Sequence, residues 1–171
     1  MVGIAWEKPP EGAIKINFDG SKNSHSAAGG YVLRDWSGHL LQAEAFNLGA
    51  ASILLAEATA MRNGIRAAVA AGFSNIHIEG DNKTLIQAVQ GYIQSPWEIQ
   101  VLVQDILYFF QKCNHVIVNH IFREGNRAAD WLAKVGLSLP SARVWNQPSH
   151  IDLQRILRED NLGYTLARRV A

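Results

Sequence analysis

The segment Ile14-Lys15-Ile16-Asn17-Phe18-Asp19 alternates apolar and polar residues and stops at Gly20-Ser21. A period of two is the signature of a strand, and it sets Ile14, Ile16 and Phe18 on one face and Lys15, Asn17 and Asp19 on the other. Asp19 then falls at the strand's end, where Gly20 lets the chain turn sharply or a ligand approach closely. A carboxylate in that place either holds a cation or caps a turn. The local sequence leaves both readings open.

The same periodicity continues past a small polar stretch. Residues 29–35 predict a second strand, Asp35-Trp36-Ser37-Gly38 a turn, and residues 39–48 a third strand, so the chain opens as an antiparallel meander. The period then changes. Residues 53–71 predict a helix with Leu54, Ala58, Met61, Ile65 and Ala68 on one face, Ser52 as N-cap and Gly72 as stop. A strand over 75–79 ends at Gly80-Asp81. Helices follow at about 83–90 and 98–112, then a strand over 115–121 and a helix over 126–137. This order predicts an α/β fold with a five-stranded mixed sheet, an antiparallel meander plus parallel strands, flanked by helices. A right-handed crossover through the long helix brings the fourth strand beside the first.

With 171 residues the chain has room for one domain, placed at 13–138 between an extended leader (1–12) and a locally basic C-terminal extension (139–171). One short helix is expected in the extension, around 151–158, and the domain is expected to fold without it. A formal net charge of +1 excludes a broad polyanion-binding coat. The single Cys113 excludes an internal disulfide and fits a reducing compartment. No apolar run is long enough to span a bilayer and no secretory pattern opens the chain, which predicts an intracellular protein of nucleus, cytoplasm or organelle with no membrane partner.

Four carboxylates fall at element ends: Asp19 and Asp81 after strands, Glu57 and Asp130 about one turn into helices. Neighbouring first and fourth strands would present Asp19 and Asp81 side by side. Converging carboxylates repel one another, and the usual remedy is a bound divalent cation; an all-oxygen donor set selects a hard ion such as Mg²⁺ or Mn²⁺. Two such ions about 3.5–4 Å apart suit phosphodiester hydrolysis. Taken singly, Glu57 reads equally as a solvated helix charge, Asp81 as a turn or cap residue, and Asp130 as a first-turn acid favoured by the helix dipole.

The blocks Ile16-Asn17-Phe18-Asp19-Gly20-Ser21, Leu55-Ala56-Glu57-Ala58, Ile78-Glu79-Gly80-Asp81-Asn82 and His120-Ile121-Phe122-Arg123-Glu124-Gly125-Asn126-Arg127-Ala128-Ala129-Asp130-Trp131-Leu132-Ala133-Lys134 together resemble type 1 ribonuclease H. Within it the chain is most similar to the plant reverse-transcriptase-like, retroelement-derived family, from about residue 9 to 137. The resemblance implies a two-metal endoribonuclease that cuts the RNA strand of RNA/DNA hybrids. Asp19 would bridge the ions, Asp130 would serve the ion that activates water, and Glu57 and Asp81 would hold the ion beside the leaving oxygen. His120 matches a histidine that assists proton transfer or product release. Ser21, Lys22, Ser52, Asn82, Arg123 and Asn126 match nucleic-acid contacts, although Ser52 and Asn126 read equally well as helix N-caps.

Departures from that pattern are equally visible. No Lys or Arg occurs over 87–103, where bacterial members carry a basic insertion. Ile53 and Leu54 stand where asparagines read ribose hydroxyls. Lys22, Arg34, Lys83, Arg123 and Arg127 are the cations available to contact phosphates near the cleft. The alternative expectation is therefore a binding or regulatory module that keeps the fold and its carboxylates with little or no catalysis.

Overall fold

The structure, a computed structural model, describes residues 1–170. Its strands are β1 (Val2–Ile4), β2 (Ile14–Lys22), β3 (Ala27–Arg34), β4 (Leu40–Gly49), β5 (Asn75–Gly80), β6 (His115–His120), β7 (Ala142–Trp145) and β8 (Leu166–Arg168). Its α-helices are α1 (Ile53–Ala70), α2 (Lys83–Gln90), α3 (Gln100–Phe110), α4 (Arg127–Gly136) and α5 (Ile151–Asn161). Among the described residues, no helix is long and apolar enough to cross a membrane.

The main sheet has six strands in the order β6-β5-β2-β3-β4-β7. The meander β2-β3-β4 is antiparallel, and β5 returns parallel to β2 with Ile16 opposite Ile78. β6 adds in parallel beyond it. The sequence pattern led to five strands; the sixth, β7, lies in the segment read as an extension and pairs antiparallel with β4, Trp145 opposite Ala43. A separate ribbon joins β1 to β8. Strands of three or four residues fall at the short end of the usual range and carry too little alternation to register as a period.

Burial follows the alternation of β2. Ile14, Ile16 and Phe18 pack with Tyr31 and Leu33 of β3 against Ala58, Met61, Ile65 and Ala68 of α1. β3 is buried along its whole length because helices cover both of its faces. On the second face Val32, Ala43 and Ala45 meet Ala128 and Leu132 of α4 and Leu153, Ile156 and Leu157 of α5. The approach of α4 is close enough that a Cβ at Gly30 would lie 2.6 Å from that of Leu132, so only glycine fits there.

The polar side of β2 is buried as well and is extensively hydrogen-bonded, with Arg34 Nε the one atom of this network that lacks a partner among the described residues. Trp6 Nε1 donates to Asn17 Oδ1 at 3.0 Å, and Arg34 donates to the same oxygen at 3.2 Å. Asn17 Nδ2 in turn donates to Asn126 Oδ1 and to Glu79, both at 3.0 Å. Arg34 lies 3.8 Å over the Trp6 ring and makes a 2.6 Å ion pair with Asp160 of α5, with side-chain exposures of 1% and 4%. Arg34 is therefore a structural cation, not a phosphate contact, and Arg127 is held by Glu159 at 2.8 Å. Both the leader and the C-terminal segment are built into the core through this network, which runs against the expectation that the domain folds without residues 139–171.

Removing one partner of a buried pair leaves an uncompensated charge. Asp160→Asn should lower the unfolding free energy by about 3–5 kcal/mol in urea titrations. A loss below about 1 kcal/mol, the range of an exposed pair, would show that the ion pair does not anchor α5. Ile16→Asp, at a fully buried position, should abolish cooperative unfolding.

Candidate active site

Local geometry delivers the acidic side chains to one end of the sheet. Asp19 lies within β2, which runs on to Lys22 in pairing with β3, so it is flanked by ladder rather than placed at a free end. Asp81 directly follows β5, the parallel neighbour of β2. Glu57 sits one turn into α1, whose N-terminus is set by Ser52 accepting from the Leu55 amide at 3.0 Å. Carboxylate oxygens of Asp19, Glu57 and Asp81 come within 4.8 Å of one another.

Two of the three acids, Asp19 and Glu57, are nearly fully buried, each 4% exposed. Asp19 accepts from the Gly20 amide at 2.9 Å. Burial, with the Asp81 charge added, pushes its carboxyl from 3.8 up to about 8. Burial and the neighbouring Asp19 charge likewise hold Glu57 well above the ordinary glutamate range. Glu57 Oε2 is buried without a hydrogen-bond partner among the described residues. An orphaned carboxylate oxygen beside two more carboxylates is what a site for a hard divalent cation provides, so the donor set fits Mg²⁺ or Mn²⁺.

Asp130 borders the same pocket, which encloses about 250 Å³ and is also lined by Ser21, Lys22, Ile53, Arg123 and Lys134. It stands apart from the three-carboxylate group: Lys134, one turn further along α4, holds it at 2.9 Å, and Arg123 lies 3.6 Å away. Surface pairs of this kind are worth about 0–1 kcal/mol, so Asp130 exchanges them cheaply. His120 is placed behind Asp81, Nε2 at 3.2 Å from the Asp81 carbonyl oxygen and its ring edge-on to Phe122. A second cleft, lined by Asp81, Lys83, His120, Phe122, Arg123 and Arg168, opens beside it.

The remaining sequence candidates divide by what their side chains already do. Ser21, Lys22 and Arg123 line the pocket. Ser52 caps α1 and spends its hydroxyl proton on Glu98, an acid 46 residues away that no local pattern points to. Asn82 caps α2, accepting from the Leu85 amide at 3.0 Å. Asn126 is 1% exposed, and its side chain neither caps α4 nor reaches the pocket surface. It donates to the Phe18 carbonyl at 3.0 Å, tying the start of α4 to the residue before Asp19. That burial is incompatible with a nucleic-acid contact. Ile53, noted above as replacing a ribose-reading asparagine, is in the pocket wall; Lys134, also in the wall, was missed, although the spacing Asp130-x-x-x-Lys134 is a signal that could have found it.

Comparisons with known proteins bear on the family and the fold. The model of the family described as "Reverse transcriptase-like" matches residues 17–136. An Arabidopsis thaliana protein named for ribonuclease H is 31% identical over 169 residues; the match covers 98% of this chain and 27% of that protein, so the chain spans about a quarter of its relative's length. Among solved structures, RNase H1 of the archaeon Halobacterium salinarum superposes with a TM-score of 0.69 at 23% identity over 73% of this chain and 97% of that one. The N-terminal RNase H domain of a Mycobacterium tuberculosis protein gives 0.70 at 19% identity, covering 73% and 93%. LC11-RNase H1, solved in complex with an RNA/DNA hybrid, gives 0.65 at 20% identity, covering 73% and 99%. The chain therefore belongs to the reverse-transcriptase-like family and is built on the ribonuclease H fold.

Proposed function

We propose that the protein is a divalent-metal-dependent endonuclease that cuts the RNA strand of RNA/DNA hybrids, leaving 5′-phosphate and 3′-hydroxyl ends. The observation that carries this reading is the group Asp19, Glu57 and Asp81, with oxygens inside 4.8 Å and one of them orphaned. Similarity to a protein named for ribonuclease H and to a fold solved with a hybrid supports the choice of substrate.

Asp19, Glu57 and Asp81 would hold Mg²⁺ or Mn²⁺, with Asp130 completing the set from across the pocket. Ions in that position supply a more acidic bound water and neutralise the leaving oxygen. The chain's own part is to position and to neutralise. Lys22, Arg123 and Lys134 rim the pocket and offer phosphate contacts. His120, half-buried beside Asp81 and lining the adjoining cleft, would pass a proton between the site and solvent.

A second reading, a binding module with little catalysis, is favoured by two specific observations. Asp130 is paired with two cations, and no Lys or Arg occurs over residues 84–111 to grip a hybrid. Cleavage of a body-labelled hybrid in Mg²⁺ and in Mn²⁺ separates the two. The endonuclease reading expects the RNA strand to be cut faster than all-DNA duplex, with at least about 100-fold loss in Asp19→Asn, because a carboxylate that would hold the ion is gone. Folded protein that binds hybrid equally in EDTA and cuts nothing would establish the binding module instead.

The raised carboxyl of Asp19 also has a sign. An acid whose folded pKa exceeds its unfolded value stabilises the fold fully below the unfolded pKa, near 3.8, and loses that contribution as pH rises towards about 8. Metal-free Asp19→Asn should therefore melt higher than wild type at pH 9, with the gap closing towards pH 5. Mg²⁺ should raise the wild-type melting temperature at pH 9 and leave the variant almost unchanged. Equal melting at both pH values would show that burial and the Asp81 charge do not hold the Asp19 carboxyl up.

A further inference from the structure

The pocket described above is not the only opening at this end of the molecule. A cleft of about 450 Å³ lies between α4, α5 and β8, within the roughly 300–1,000 Å³ range of ligand sites. Its walls are Trp131, Ile156 and Leu166, and its polar rim is formed by Arg123, Arg127 and Lys134 with Glu124 and Asp130. Arg123, Asp130 and Lys134 line both this cleft and the carboxylate pocket, so the two openings adjoin across these three side chains. Two of its apolar walls, Ile156 and Leu166, come from beyond residues 17–136, the stretch that the family model matches.

We propose that this cleft is a subsite for one unpaired nucleotide of the strand being cut, its base against Trp131, Ile156 and Leu166 and its phosphate on Arg123 and Lys134. The inference rests on the reading of the adjoining pocket as a nuclease site. An apolar wall carrying an indole, with cations at its rim, is the arrangement that holds single-stranded nucleic acid: the ring offers a face to any base and the rim follows the backbone. Arg123 and Lys134 keep side-chain exposures of 66% and 54% while paired with Asp130. A guanidinium has five N–H donors and an ammonium three, so each retains donors for a phosphate. Arg127 is committed to Glu159, and Glu124 to Arg168 at 3.0 Å, which removes those two from the count. What remains is two cations beside one carboxylate. The position also answers a need, because the chain has no basic residue over 84–111.

The test uses the full chain carrying Asp19→Asn, chosen to bind without cutting, and fluorescence anisotropy in Mg²⁺ on labelled RNA/DNA hybrids. The probes are a blunt duplex and the same duplex with a short single-stranded RNA overhang at the 3′ or the 5′ end, or with DNA overhangs. One RNA overhang should tighten binding at least about fivefold over the blunt duplex, the low end of base–aromatic stacking. Adding Leu166→Glu, at a residue 44% exposed on the cleft wall and so tolerant of change, should abolish that gain without altering blunt-end affinity. Trp131→Ala should abolish it and Trp131→Phe should keep most of it. No gain from any overhang, a gain from DNA overhangs alone, or a gain that survives Leu166→Glu would overturn the subsite while leaving the nuclease reading intact. No binding to any hybrid, blunt or overhanging, would overturn both.

Discussion

Asn17 is fully buried in the middle of the sheet, and its amide is paired on both sides, accepting from Trp6 and Arg34 and donating to Glu79 and Asn126. A buried amide left without partners costs about 1–3 kcal/mol, so these partners have to arrive together. They come from the leader, from β3, from β5 and from the turn before α4. Arg34 brings α5 with it through Asp160. The elements that carry Asp19, Asp81 and Asp130 are thus held in register by one hydrogen-bonded cluster, two residues from the first of those acids. The apolar face of the same strand fixes α1, and with it Glu57, by ordinary close packing.

Against that well-satisfied interior the carboxylate group stands out. The Gly20 amide donates to Asp19, but no cation pairs with Asp19 or Glu57, and burial forces their carboxyls upward. A fold that keeps such a group sacrifices stability at neutral pH unless a cation joins it, which is the expected mark of a site retained for chemistry. Asp130 is in a different situation. Lys134 and Arg123 neutralise it from the solvent side, and the same two residues belong to the neighbouring cleft, so the strength of their hold on Asp130 bears on both openings.

Much of this was legible in the sequence. The alternation of residues 14–19 gave the strand and its faces, the change of period gave α1, and the crossover rule put β5 beside β2, which in turn placed Asp19 next to Asp81. Local pattern was sufficient to pick out the acids, although Asp19 proves to lie inside β2 and Glu57 one turn into α1, while Asp81 follows β5 and Asp130 falls in the first turn of α4. The unread parts depend on distant partners. Nothing near Arg34 announces Asp160, 126 residues away, and an arginine in an otherwise apolar strand reads as an exposed cation until its partner is known. Asn126 has the composition of a cap but is used between strand and helix. β1, β7 and β8 form because tertiary packing gives them an edge to join, and three or four residues carry no period of their own.

The central claim is that Asp19, Glu57 and Asp81 form a metal centre. Its most direct measurement is the anomalous scattering of crystals grown in Mn²⁺. The account predicts a strong peak within about 2.0–2.4 Å of carboxylate oxygens from all three residues, Glu57 Oε2 among them, and its loss in crystals of Asp19→Asn. A well-ordered pocket without a peak at millimolar Mn²⁺, the carboxyls instead sharing protons with one another, would contradict it.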